Sequence, residues 1–101
     1  MAIDRGYRLS PAADRDLANI WRYTARRWSL GQAERYQDEL ASAFAGPAAG
    51  RKAGRPVEIG HGVYLKYAVG AHSIYFRETG DEIIVVRVLH SRQDAGRHLH
   101  P

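Results

Sequence analysis

The hydrophobic period changes once along this chain, and that change limits what it can fold into. Over the first half, apolar residues return every three or four positions: Ala13, Leu17, Ile20, Trp21, Thr24 and Trp28, then Ala33, Tyr36, Leu40, Ala43 and Phe44. That spacing predicts two amphipathic helices. Ser10-Pro11 opens the first, a serine able to cap orphan amides followed by a proline preset for the first helical position, and the helix is expected over residues 11–28. Ser29, with Gln32 three residues on, has the capping-box pattern for the second, and Gly46-Pro47 ends it. With almost no linker between them, the two form an antiparallel hairpin.

Gly46 to Pro56, with three glycines, two prolines and the basic residues Arg51, Lys52 and Arg55, reads as a surface loop. Beyond it the period is two: Val63, Leu65, Tyr67 and Val69 alternate with Tyr64, Lys66 and Ala68, and His72 to Glu78 alternates again. After a Thr79-Gly80-Asp81 turn, the run from Ile83 to Leu89 is apolar on both faces except at Arg87, which predicts a central strand. A short strand at Tyr7-Arg8-Leu9 precedes the helices, and a tail from Ser91 to Pro101 has room for a helical turn or two. The helical stripe can be buried only against one face of the sheet. The expectation is a two-layer α+β domain over residues 1–101, with an N-terminal strand and an antiparallel helical hairpin packed on an antiparallel β-sheet and a short C-terminal helical tail. Doubly wound parallel folds are excluded, because the later strands lack crossover connections.

Composition narrows the functional classes. The absence of cysteine removes disulfides, thiolate metal sites and cysteine nucleophiles, and it suits a reducing cytoplasm. The first ten residues carry Asp4, Arg5 and Arg8 in place of the apolar run of a signal peptide, and no stretch approaches a membrane span, so a cytoplasmic protein is expected. The net charge of +4 divides as +1 over residues 1–50 (7 basic, 6 acidic) and +3 over residues 51–101 (8 basic, 5 acidic), a balance that favours an anionic partner.

The densest group of reactive side chains is Arg87, His90, Arg92 and Asp94, at and just past the end of the last strand. Two readings stand side by side: a cluster that contacts a target, or an Arg87–Asp94 ion pair that pins the tail to the sheet, since a charge within a buried strand needs a partner. His90 and His98 have no fixed spacing to a carboxylate, His98-x-His100 lies at a fraying end, and no phosphate-binding glycine loop, serine elbow or paired-carboxylate pattern placed on a cleft occurs, so neither metal nor cofactor is expected.

In order along the chain, Tyr7-x-Leu9-Ser10-x-x-Ala13-x-x-Asp16-Leu17-x-x-Ile20-x-x-Tyr23, Trp28, Gln32-Ala33-x-x-Tyr36-x-x-x-Leu40, Gly54-Arg55 to Gly62, His72-x-Ile74-x-Phe76 and Ile84-x-Val86-Arg87-Val88-Leu89-His90-x-Arg92-x-Asp94 together resemble the ParE branch of the RelE/ParE toxin superfamily. The resemblance implies a toxin of a type II toxin-antitoxin system that binds and inhibits DNA gyrase and is neutralised by a ParD-like antitoxin in a hetero-oligomer. It implies neither catalysis nor direct readout of nucleic acid. Arg87, His90, Arg92 and Asp94 then become the residues expected to carry toxicity. Trp21, Arg22, Arg26, Trp28, Tyr36 and Tyr64 are expected to receive the antitoxin, since aromatic anchors with a charged rim suit a docking partner helix. The alternative within the superfamily is a ribosome-dependent mRNA endonuclease of the RelE type, for which Lys66, Arg77, Arg87 and His90 would have to supply phosphate stabilisation and proton transfer. The third-strand arginine of that type falls at Ser73, and no tyrosine follows the last strand.

Overall fold

The computed structural model describes residues 6–48, 54–60, 62–78, 80 and 82–99. Its elements are β1 (Gly6–Leu9), α1 (Pro11–Arg27), α2 (Leu30–Ala48), β2 (Arg55–Ile59), β3 (Gly62–Val69), β4 (His72–Glu78), β5 (Glu82–His90) and α3 (Ala95–His98). The five strands make one sheet in the order β1-β5-β4-β3-β2. The expected α+β architecture holds, and the first strand enters the sheet itself, parallel to β5 with Leu9 opposite Val85, so the sheet is mixed.

The helix starts follow their caps. The Ser10 hydroxyl accepts the Ala13 amide at 3.0 Å and donates to the Val86 carbonyl at 2.7 Å, so one side chain both starts α1 and ties it to β5. Ser29 accepts the Gln32 amide at 3.0 Å, while the Gln32 side chain turns to Arg35 and leaves the capping box half made. α2 runs on to Ala48, past the expected Gly46-Pro47 stop, within the slack that helix ends normally show. Of the expected loop, residues 49–53 lie outside the described residues, including Arg51 and Lys52, and Arg55-Pro56 opens the unforeseen strand β2. A proline is tolerated there because β2 is an edge strand, whose exposed Arg55 and Glu58 also discourage pairing with another chain.

The sheet buries apolar surface on both faces. Against the helices lies the main core of Ala13, Leu40, Ala43, Phe44, Ile74, Phe76, Ile83, Val85 and Val88. On the other face Tyr64, Tyr75 and Leu89 close around Leu99 of the tail, with Val57, Ile59, Val86 and Ala95 against them. Each fully buried Leu, Ile, Val or Phe among them contributes about 1.5–3 kcal/mol of transfer free energy. The tail is thus a small cover for a second core.

At the β3–β4 turn Gly70 has φ +54°, and a Cβ there would lie 3.0 Å from the Tyr36 ring and hydroxyl. Both the left-handed backbone and the close approach demand glycine. Gly70→Ala is expected to cost ~1–3 kcal/mol in urea unfolding, against less than ~0.5 kcal/mol for Gly80→Ala, where an added methyl meets nothing within 4 Å.

Candidate functional site: an arginine groove, a histidine pocket and a locked tail

Three features stand out, and all depend on how α1 crosses the end of the sheet. The first is the outer face of α1. Asn19, Arg22, Tyr23, Arg26 and Arg27 line a groove of about 430 Å³, and their spacing of i, i+3, i+4, i+7 and i+8 makes one straight stripe. Tyr23 is 66% exposed and Trp28, with the Arg27 guanidinium 5.6 Å from its ring centre, is 70% exposed. Among the described residues, Arg22, Arg26 and Arg27 have no carboxylate partner.

The second is a smaller pocket of about 260 Å³ between Asn19, Ile20, Tyr23, His72 and His90, beside the groove and sharing Asn19 and Tyr23 with it. His72 and His90 face each other across β4 and β5 with their rings edge to face, centres 5.4 Å apart. Behind them the Tyr36 hydroxyl reaches His72 Nδ1 and donates to the Val69 carbonyl at 3.1 Å. His90 Nδ1 accepts the Arg92 amide at 3.1 Å, which requires that nitrogen to be unprotonated. Burial holds the His72 pKa below the ordinary histidine value, His90 adds to this, and Asp16 opposes it. Burial likewise raises the Tyr36 phenol above its usual value.

The third is the tail. β1 stops at Leu9, leaving the rest of that edge of β5 without a strand, and Asp16 of α1 fills the gap. Its Oδ2 accepts the Val88 amide at 3.0 Å and Arg87 Nε at 2.7 Å, while Oδ1 accepts Arg87 Nη2 at 2.9 Å. Arg87 Nη1 reaches the His98 carbonyl at 3.0 Å. One guanidinium therefore joins α1, β5 and the tail, and the Asp16 hydrogen bonds raise its pKa above the arginine norm against the opposing effect of burial.

The expected residues separate accordingly. Arg22 and Arg26 line the groove, and Trp21 and Trp28 are exposed on the same helical hairpin. Tyr36 is half-buried in the histidine network. Tyr64, expected as an antitoxin anchor, is 1% exposed, because the tail and the edge strand close over it. It is a core residue that stacks beneath Arg77, whose guanidinium sits 4.5 Å from the ring centre. The Arg87–Asp94 ion pair is also corrected: Arg87 is taken by Asp16, and Asp94 caps α3 by accepting the Gly96 amide at 3.0 Å, with Arg97 Nε 3.8 Å away. The function expected of such a pair, pinning the tail, is carried out by the Arg87 bond to His98. Arg92 is exposed, and His100 lies outside the described residues.

The residues of the nuclease alternative are divided by the sheet. Lys66 lies over Tyr75 and Arg77 over Tyr64, on the tail-covered face, whereas His90 lies with His72 and Tyr36 on the helical face. Four contributors had no site role in the sequence reading: Asp16, Tyr23 and His72, which entered only as motif positions, and Arg27; the partner of Asp16 is 71 positions away. Helical spacing from Asn19 could have flagged Tyr23 and Arg27; His72 is visible only once β4 is paired to β5.

These features define a class: a small α+β protein with an unpaired cationic and aromatic helix face and a tail locked onto its sheet. The sequence model of the family described as "ParE toxin of type II toxin-antitoxin system, parDE" matches residues 7–95, and the chain belongs to that family. It is 44% identical over 94 residues to Toxin ParE1 of Mycobacterium tuberculosis (strain H37Rv) and 37% identical over 93 residues to Toxin ParE1 of Caulobacter vibrioides, in each case over 92% of this chain and 96% of the relative. A solved structure described as "Chromosomal ParDE TA system from P. aeruginosa" superposes with a TM-score of 0.73 over 86% of this chain and 96% of that one, at 20% identity, a likeness of fold. No helix among the described residues is long and apolar enough to cross a membrane.

Proposed function

We propose that this ParE-family toxin acts in the cytoplasm by binding and inhibiting DNA gyrase, without catalysis or a cofactor, and that a ParD-like antitoxin silences it by occupying the α1 face. The observation that carries the antitoxin half is the groove itself. Arg22 and Arg26 repel each other at i, i+4 spacing and Arg27 adds a third charge beside them, so an acidic partner both relieves that repulsion and covers Tyr23 and Trp28. The gyrase half rests on family membership, with exposed Arg92 as the tail residue free to meet a target.

The division of Lys66 and Arg77 from His90 across the sheet favours inhibition over RNA cleavage, because phosphate stabilisation and proton transfer must act on one bond. The test pairs two assays on the purified toxin. Supercoiling by gyrase should fall as toxin is added and recover on addition of the ParD-family antitoxin, while ribosome-bound messages from induced cells stay intact. Codon-specific cleavage of those messages, abolished by His90→Ala, overturns the inhibitor reading.

A further inference from the structure

The groove and the histidine pocket adjoin, with Asn19 and Tyr23 lining both, yet chemically they differ sharply. Among the described residues the groove offers three guanidinium groups without a carboxylate partner, Arg22 to Arg27 spanning about 7.5 Å of helix, with Arg22 bonded to the Asn19 side chain. The pocket is walled by Asn19, by Ile20 and by the rings of Tyr23, His72 and His90, with room for a single side chain. We propose that one acidic amphipathic segment of the antitoxin occupies both, its carboxylates on Arg22, Arg26 and Arg27 and one uncharged anchor side chain between Ile20, Tyr23, His72 and His90, and that protonation of the two histidines expels the anchor. This rests on the antitoxin reading above and adds the anchor pocket and its acid sensitivity. A paired duplex suits the arginines equally well but, with its bases stacked inside, has nothing to place in the pocket, which is why a protein segment is the better fit.

The acid sensitivity follows from the surroundings of the pair. His72 is faced by Tyr36 from α2, by Asp16 and Tyr23 from α1, and by His90 from β5; Glu39 lies beyond Tyr36. Of the two carboxylates, Asp16 is committed to Arg87 and the Val88 amide. His72 therefore has no carboxylate to itself, and a positive His90 ring raises the cost of charging it. His90 must also give up the Arg92 amide to take a proton on Nδ1. The neutral pair is thus the state that tolerates an apolar anchor, and a charged ring beneath such an anchor is poorly solvated.

The experiment measures association and dissociation of the full toxin with its ParD-family antitoxin at about pH 7.5 and about pH 5, the lower value set beneath the ordinary histidine range because burial holds His72 below it. For the native toxin the off-rate should rise roughly tenfold or more on acidification, as a lost anchor acts on dissociation. The double variant His72→Gln/His90→Gln should show a nearly flat ratio between the two conditions. Since Gln at position 72 also alters the Tyr36 contact, Tyr23→Ala provides a second arm: on the exposed outer wall, it should raise the off-rate at the higher pH by roughly tenfold with an unchanged melting curve.

Arg22→Gln/Arg26→Gln/Arg27→Gln should instead slow association, most at low salt, and leave the pH ratio of the off-rate alone. An off-rate indifferent to pH in the native toxin, or a pH ratio that survives in the histidine variant, overturns the pocket proposal while the arginine result keeps the antitoxin reading. Indifference to the arginine, tyrosine and histidine changes alike overturns both. Binding of a 20-base-pair DNA duplex that is lost in the arginine variant and competes with the antitoxin overturns the assignment of the groove to a protein segment.

Discussion

Asp16→Ala is expected to destabilise the fold by ~2–4 kcal/mol, seen as a lower urea midpoint with little change in slope. The change removes every bond made by one carboxylate. It leaves the Arg87 guanidinium, only 20% exposed in its side chain, with the His98 carbonyl as its remaining partner, and it leaves the Val88 amide at the β5 edge without its acceptor. Most of the cost comes from the partners left behind. Combining Asp16→Ala with Arg87→Met should accordingly recover part of the loss, because no partly buried charge then remains. A midpoint unmoved by Asp16→Ala would mean that the lock contributes nothing.

The second large effect belongs to the tail. Leu99 is 2% exposed and closes the cluster of Tyr64, Tyr75 and Leu89, so Leu99→Ala should cost ~2–4 kcal/mol, and truncation from Ser91 onward should cost more and expose that cluster to aggregation. Truncation alone is therefore a poor locator of a target contact, since any loss of toxicity would mix unfolding with lost contact. Arg92→Ala separates the two. Its side chain is exposed, so stability should shift by less than ~0.5 kcal/mol, and a loss of gyrase inhibition at unchanged stability would assign Arg92 to the target surface. Full inhibition by this variant would remove it from that surface.

The parts of this fold that could be read from sequence are those governed by nearby residues. Ser10 and Ser29 sit within three residues of the amides they cap, and the helical stripe and alternating strands repeat within a few positions. What escaped depends on partners far along the chain. Arg55 to Ile59 carries a proline and two charges and resembles a loop until β3 is beside it. The register shift between Tyr75 and Phe76 places Arg87 opposite Tyr75 and lets it reach both Asp16 and the tail, and a bulge of this kind leaves no mark in the alternation of Ile83 to Leu89. Asp94 was the nearer carboxylate in sequence and Asp16 the nearer in space. The site was legible as a supply of arginines and aromatics on α1, but which tyrosines remain accessible was decided by the tail, which covers Tyr64 and leaves Tyr23 free.

The parallel pairing of β1 with β5 has a consequence for how the molecule is made. Ser10 bonds to Val86 across 76 positions, so the first strand emerges from the ribosome long before its partner exists. At the usual ~5–20 residues per second, that interval lasts roughly 4–15 seconds, during which α1 and α2 can form and meet but Asp16 has no guanidinium to hold and the sheet has no place for β1. Loop closure over such a span also makes folding slow compared with a helical bundle of the same size. A chain whose translation stops before β5 lacks the second core and the lock together, so the fold that carries the arginine groove on a finished sheet is assembled only once β5 has been made.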